Sequence, residues 1–272
     1  MSAAIALATT RFAFSATPRL DAELLMAHAL GVDRSAILLD PTRYAVPATF
    51  AALVERRLRH EPIAYITGTR GFWSIDLAVG PGALVPRADS ETLLIAAQAH
   101  FAGRAPATIL DLGTGPGTLL LAALDEWPAH GIGIDYSQQA LAYARANAAT
   151  LGMADRAHFV RGSWGSAIAG QFDLILANPP YIATDEQLPP EVHDHEPHAA
   201  LFAGADGLDD YRILAGQLPA LIAPDGAAVI EIGSTQAGSV TALLEAQGLH
   251  VALHRDYGNN PRALVATTGI RR

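Results

Sequence analysis

A chain of 272 residues, half of them hydrophobic and only 17% charged, can build a sizeable core, which excludes global disorder and allows one large domain or a medium domain with a smaller companion. It has no cysteine, so disulfides, thiolate metal sites and cysteine nucleophiles are excluded. The net charge of −9 is uneven, +2 over residues 1–75 and −11 over residues 76–272, and suits a bare polyanion such as DNA poorly. All 18 basic residues are arginine. Arg11 interrupts the mildly apolar Met1–Thr10 stretch, which has no basic start, so no secretion signal is expected. Arg, Asp, Gly or Pro break every apolar run before it reaches membrane-spanning length, and the expectation is a soluble, cytoplasmic protein.

The first 70 or so residues read as a small helical bundle. Pro18–Leu30 places Leu20, Leu24, Met26 or Ala27, and Leu30 near one face, and Gly31 supplies a stop. A second helix is predicted over Ala48–His60, with Phe50, Leu53, Val54 and Leu58 on the inner stripe, Arg56, Arg57 and Arg59 opposite, and Pro62 ending it. From Tyr65 to Val85 the pattern turns to short β-like pieces among glycines, with Phe72–Val79 as a strand of a hairpin. A helix is expected from Asp89, capped by Asp89 or Ser90. From Thr108 onward strands and helices alternate, which argues for a parallel sheet. Strands are predicted at Thr108–Leu112, Gly131–Ile134, His158–Val160, Phe172–Ala177 and Ala227–Ile232, with a terminal pair at Leu249–His254 and Ala263–Thr267. Helices are expected at Gln138–Leu151 and Gln236–Gln247. The organisation is a helical domain over residues 1–68, a hairpin linker over 69–88 and an α/β domain over 89–272.

Three loops at strand ends carry the chemistry. Asp111-Leu112-Gly113-Thr114-Gly115-Pro116-Gly117 is a strand running into a glycine turn and then a helix. A dinucleotide fingerprint needs a glycine at the sixth position, where this loop has Thr118, and no Gly-Lys-Ser/Thr ending marks a phosphate loop. Asp135 ends the next strand, where a carboxylate can accept both hydroxyl hydrogens of a ribose. Together these suit a nucleoside ligand without a pyrophosphate, S-adenosylmethionine and not NAD. The third loop is Asn178-Pro179-Pro180-Tyr181. Its prolines cannot donate ladder hydrogen bonds, so the strand must stop, and Pro179 holds Asn178 extended. The corner reads either as a mere turn or as a stiff ligand-binding edge at the carboxyl end of a strand.

The chain resembles the bacterial peptide chain release factor N5-glutamine methyltransferases over nearly its full length. The resemblance rests on Pro18–Leu25, on Glu61–Gly68 followed by Phe72-Trp73, and on Val85-Pro86-Arg87-Ala88-Asp89-Ser90-Glu91. It rests also on the Asn178 corner, Glu191–Pro197 and Gly204–Leu208. Relatives that methylate a ribosomal protein usually read Pro-Arg-Ser-Pro at the signature, so Asp89-Ser90-Glu91 favours the release-factor branch. Ala88, where proline is usual, and Pro116 inside the glycine loop depart from the pattern. Pro116 removes one backbone donor, but in the first turn of a helix that N–H is unpaired anyway.

The resemblance implies a Rossmann-like class I S-adenosylmethionine-dependent methyltransferase domain with a mostly parallel seven-stranded sheet, preceded by a helical substrate-recognition domain. It implies methyl transfer to the glutamine side-chain nitrogen of the Gly-Gly-Gln motif of release factors, with S-adenosylhomocysteine as product. An amide nitrogen is a poor nucleophile, and acceptors on both its N–H groups would localise its lone pair. The Asn178 side-chain oxygen and the Pro179 carbonyl are the candidates, with Tyr181 packing on the amide plane and Pro180 completing the substrate wall. Cofactor binding is expected of Asp111, Gly113, Thr114, Gly115, Pro116, Gly117, Asp135, Asn178 and Trp164, the last as a wall for the adenine. Arg87 borders the linker, where it would meet the methionine carboxylate or the substrate, or stand exposed. No metal is implied, although His193, His195 and His198 lie close in a stretch read as a solvated loop. Residues 185–210 hold eight acidic residues and no arginine, which predicts an acidic rim steering a basic partner surface. The expected partner is a folded release factor met by a monomer, without direct nucleic-acid or membrane contact. The rivals are an amino-methyltransferase acting on a ribosomal protein glutamine or on a flipped nucleic-acid base, and a non-catalytic module that keeps the cofactor fold.

Overall fold

Pro18 sits in the first turn of the helix Pro18–Leu30, and Gly31, left-handed at φ 67°, ends it. In the computed structural model, which describes residues 1–269, this helix belongs to the smaller of two compact units. That unit comprises Met1–Thr69 and Leu188–Glu196, and the larger one comprises Arg70–Gln187 and the chain from Pro197 on. The helices Ser2–Arg11, Pro18–Leu30, Arg34–Leu39, Phe50–Leu58 and Ile63–Thr67 enclose a core that includes Phe12, Leu25, Met26, Ile37, Phe50 and Val54. Among the described residues no helix is long and apolar enough to cross a membrane.

The buried face of Pro18–Leu30 differs from the apolar stripe expected. Leu25 and Met26 are fully covered while Leu20 is 37% exposed. Asp21 and Glu23 are buried on this helix because they have partners, Arg57 for the first and Arg19 with Arg34 for the second. Arg57, expected on the solvent side, is likewise buried. It lies 2.9 Å from Asp21 and 2.8 Å from Glu191, donates to the Glu61 carbonyl at 3.1 Å, and sits 5.2 Å from the Phe14 ring centroid. A charge this deep persists only when paired and fully hydrogen-bonded. Glu191 stands on the short helix Pro190–His193, and the His195 Nε2 lies 2.9 Å from the Arg59 carbonyl. These bonds explain why residues 188–196 group with the helices.

A two-stranded ribbon, β1 (Thr69–Phe72) and β2 (Ile75–Ala78), belongs to the larger unit from Arg70 on. The turn falls at Trp73 and Ser74, inside the stretch expected to be a single strand, with Trp73 at φ 55°. Its N–H is held by the Glu91 carboxylate at 2.9 Å, a tertiary bond that local β-propensity does not register. A seven-stranded sheet follows: β3 (Thr108–Leu112), β4 (His130–Asp135), β5 (Ala157–Arg161), β6 (Phe172–Ala177), β7 (Ile222–Glu231), β8 (His250–Arg255) and β9 (Pro261–Thr267). Its spatial order is β5-β4-β3-β6-β7-β9-β8, with only β9 antiparallel to its neighbours. The central strands β3 and β6 are almost wholly buried, as near-continuous apolar runs covered on both faces should be.

Strand order reverses between β3 and β6, which pair in parallel with Leu112 opposite Ala177. The glycine loop leaves β3 and the Asn178 corner leaves β6, so their carboxyl ends open one crevice at the switch point. β7 begins five residues earlier than expected, at Ile222, because a register irregularity between Phe172 and Leu174 lets the chain pair with β6 through the polar Pro224-Asp225-Gly226 stretch.

Candidate active site

Gly113, Gly115 and Gly117 all lie at positive φ, 74°, 56° and 89°, so the loop folds back over the end of β3 as side-chain-bearing residues would not. Gly117 caps the helix Thr118–Glu126, which places Pro116 before the cap and not in the first turn as expected. Pro116 has a different task. Its carbonyl accepts a 2.9 Å hydrogen bond from the buried Asn147 side chain, which also clasps the N–H and carbonyl of Ala78 on β2. Sequence reading missed Asn147 because nothing in its own helix, Gln138–Thr150, marks it.

Two carboxylates brace the loop. Asp135 accepts from the backbone N–H of Gly115 at 2.9 Å and of Ser137 at 2.8 Å. Each oxygen retains a lone pair for a further donor, though burial raises the carboxyl above its ordinary range. Asp111 accepts from the Thr114 hydroxyl at 2.6 Å and the Leu120 N–H at 3.2 Å through Oδ2, while its buried Oδ1 has no partner. Burial pushes this carboxyl up to about 7 against those bonds. A buried, unpaired carboxylate oxygen at a cavity wall is suited to a cationic donor. Close packing protects the arrangement, because a Cβ on Gly133 would stand 2.7 Å from the Thr114 hydroxyl and 2.9 Å from the Phe159 ring.

The loop, Asp111, Asp135 and the corner open onto a cavity of about 320 Å³, ample for a small ligand. Of the corner, Asn178 and Pro180 stand on its wall, whereas Pro179 and Tyr181 lie outside the lining. Asn178 donates from Nδ2 to the Ser90 hydroxyl at 3.2 Å, which turns its Oδ1 away from Ser90. Ser90 precedes the helix Glu91–Phe101 but makes no side-chain cap, contrary to the expectation for Asp89 or Ser90. Its buried hydroxyl serves Asn178 instead. Asp89 is drawn off too, into an ion pair with Arg262 at 3.1 Å. Tyr181 packs against the core, its carbonyl held by Gln236 at 2.9 Å, and burial pushes its phenol up to about 12.

Trp164 and Arg87 line the cavity. The Trp164 ring packs over Gly113, where a Cβ would meet it at 3.1 Å, and its indole N–H donates to Asp210 at 3.1 Å. Tyr136, absent from the sequence reading, also lines the cavity and is 54% exposed. Its position directly after Asp135 was the available signal.

The histidine stretch is not one solvated loop. His195 bonds Arg59 in the helical unit, His193 lies 2.7 Å from Asp194, and His198 packs edge-on against Phe202 in the larger unit. Among the described residues no group of three His, Cys, Asp or Glu could hold a metal. Nor do the eight acids of residues 185–210 form one free rim. Glu196 is buried, Glu191 pairs with Arg57, and Asp206 and Asp209 pair with Arg212. Local partners neutralise much of that charge, a pairing that a count along the chain misses.

A family described as the PrmC N-terminal domain matches residues 3–68, and one described as a methyltransferase domain matches residues 105–244. The release factor glutamine methyltransferase of Rhodospirillum rubrum is 47% identical over 256 residues, covering 92% of this chain and 78% of its own. Its namesake from Yersinia pestis is 39% identical over 272 residues and 98% of both chains. Among solved structures, the ribosomal protein L11 methylase from Lactobacillus delbrueckii subsp. bulgaricus aligns at TM-score 0.53 and 20% identity, over 70% of this chain and 84% of its own. A methyltransferase from Pyrococcus furiosus aligns at 0.55 and 17%, over 73% and 91%. At such identities the structural likeness is one of fold, a Rossmann-like methyltransferase fold.

Proposed function

The chain belongs to the release factor glutamine methyltransferase family, and on that premise we propose that it methylates the glutamine side-chain nitrogen of the Gly-Gly-Gln motif, with Asn178 presenting the amide for reaction. The observation that carries the reading is the Asn178 amide, anchored by Ser90 on the wall of the cavity that the glycine loop also lines.

The residues present fit S-adenosylmethionine, which when bound supplies an electrophilic methyl group on a sulfonium. The unpaired Asp111 Oδ1 would take its ammonium, the remaining lone pairs of Asp135 its ribose hydroxyls, and Tyr136 and Trp164 would flank its adenine. Gly113, Thr114, Gly115 and Pro116 would shape the floor beneath it, with Gly117, outside the lining, turning the chain into the helix behind them.

Asn178 Oδ1 and the Pro179 carbonyl each accept one N–H of the glutamine amide. That pairing draws the nitrogen lone pair out of conjugation and aims it at the cavity. Tyr181, neutral at any working pH, packs on the amide plane, and Pro180 closes the wall. No strong base is required, because the nitrogen sheds a proton to solvent only once it is alkylated. The chain's contribution is orientation and preorganised dipoles, effects that reach about 7–11 and about 3–4 kcal/mol in favourable cases. The helical unit and residues 188–196 would recognise the folded release factor. The partner is thus a protein and not a nucleic acid, met by a monomer in the cytoplasm where translation takes place.

Incubation with labelled S-adenosylmethionine and separately purified release factor, ribosomal protein and DNA tests the reading. Label is expected on the Gly-Gly-Gln glutamine, and Asn178→Ala is expected to abolish it while cofactor affinity stays within about threefold. Label on DNA or the ribosomal protein alone, or equal loss of turnover and cofactor affinity in Asn178→Ala, would overturn it.

A further inference from the structure

An indole N–H donates and never accepts, so the group that meets it must present an acceptor. The Trp164 N–H meets Oδ1 of Asp210 at 3.1 Å, and both residues line the cavity. Among the described residues the Asp210 side chain makes no other hydrogen bond, so its second oxygen, Oδ2, keeps its lone pairs. The indole N–H lies in the plane of its ring. Asp210 therefore stands at the rim of that ring, where the edge of a base stacked on it would project.

Trp164 adopts φ 49°, a left-handed backbone that a bulky residue rarely takes, so tertiary bonds must hold it there. One helix, Asp209–Leu221, supplies them. Asp210 takes the indole, and Gln217, two turns on, accepts from the Gly165 N–H at 2.9 Å. Ile213, between the two on the same helix face, also lines the cavity. The start of the helix is tied down in turn. Gln236 donates to the carbonyl of Gly207 at 3.2 Å and to that of Tyr181 at 2.9 Å, and Arg212 lies 2.8 Å from Asp209.

We propose that Asp210 is a specificity residue: Oδ1 holds the Trp164 ring as a cavity wall while Oδ2 accepts the exocyclic amino group of adenine. The site then takes a 6-amino purine nucleoside and rejects its 6-oxo counterpart. The inference rests on the reading, given above, of Trp164 and Tyr136 as the flanks of the adenine. An ionised carboxylate attracts the N–H of a 6-amino group and repels the carbonyl oxygen of hypoxanthine. Ser163, the neighbour of Trp164 in the lining, has a hydroxyl that donates as well as accepts and cannot make that distinction. Burial raises the Asp210 carboxyl above its ordinary range, so binding is measured at about pH 8, where it is ionised.

Calorimetry of the full-length protein with S-adenosylhomocysteine and with S-inosylhomocysteine tests the proposal. Wild type should prefer the adenosyl ligand roughly 10- to 100-fold, the worth of a hydrogen bond to a charged group. In Asp210→Asn the indole still demands an oxygen, which leaves the amide Nδ2 for the ligand. The preference should shrink at least about tenfold, with S-inosylhomocysteine bound more tightly than by wild type and the unliganded thermal midpoint unchanged. Asp210→Ala should lose the preference too. A residue that merely held Trp164 would, on truncation to alanine, weaken both ligands by one factor and leave their ratio intact. Equal affinity of wild type for the two ligands, or a ratio unmoved in Asp210→Asn and Asp210→Ala, would overturn the proposal alone. Wild type that binds neither nucleoside would overturn the reading of the cavity as a cofactor site, and the proposal with it.

Discussion

Asn147→Ala should damage both the fold and the cofactor site. The side chain is 2% exposed and makes three hydrogen bonds, accepting from the Ala78 N–H at 2.8 Å and donating to the carbonyls of Ala78 at 3.1 Å and Pro116 at 2.9 Å. Truncation leaves those backbone groups without these partners. A buried polar group left unpaired costs about 1–3 kcal/mol. Water can reach the half-buried Ala78, so the three together should cost roughly 3–5 kcal/mol, a large share of the 5–15 kcal/mol that holds a typical domain folded. Freeing the Pro116 carbonyl should also loosen the glycine loop and weaken S-adenosylhomocysteine binding, on the order of tenfold. Asn147→Asp keeps an acceptor for the Ala78 N–H but sets a carboxylate against two carbonyls, so it should not rescue. Urea unfolding gives the first quantity and isothermal calorimetry the second. Destabilisation below about 1 kcal/mol with unchanged affinity would refute the account. A large loss of stability with unchanged affinity would show that Asn147 serves the β-ribbon alone.

Gly133→Ala should drive a methyl group into Thr114 and break its bond to Asp111, so cofactor affinity should fall more than an ordinary surface change allows; a binding isotherm within about twofold of wild type would count against this. Asp111, raised to about 7 by burial, is protonated below that pH in the unliganded protein and cannot then accept a cationic ammonium. S-adenosylhomocysteine should therefore bind more tightly as pH rises, by up to about tenfold per unit below 7 and levelling above it, with the slope reduced in Asp111→Asn. The same two raised carboxyls, Asp111 and Glu231, hold protons in the fold that the unfolded chain has released between their ordinary values and about 7. Unliganded stability should thus fall as pH rises through that window. A thermal midpoint that climbs there by the same amount in wild type and in Asp111→Asn/Glu231→Gln would contradict it.

Local chemistry made much of the fold legible. Apolar runs of five or six residues bounded by glycine, proline or aspartate identify β3 and β6 to the residue, because a strand covered on both faces needs no distant partner to be recognised. The glycine spacing after β3 and the acid after β4 distinguish a nucleoside crevice from a dinucleotide or phosphate loop for a similarly local reason, the backbone conformation that the turn demands.

Polar side chains were the failures, because their partners lie far along the chain. Arg57 reads as a solvent-facing arginine until Asp21 and Glu191 meet it. Ser90 reads as a helix cap until Asn178, 88 residues on, claims its hydroxyl. Asn147 carries no local mark at all, since its partners are 31 and 69 residues away. By itself the sequence determined the family, the α/β architecture and the loops that open on the crevice, all set by periodicity and turn chemistry within a few residues. Only the tertiary structure decided how buried polar groups are satisfied, and with that which way Asn178 faces, because a hydrogen bond depends on distance in space and not on distance along the chain.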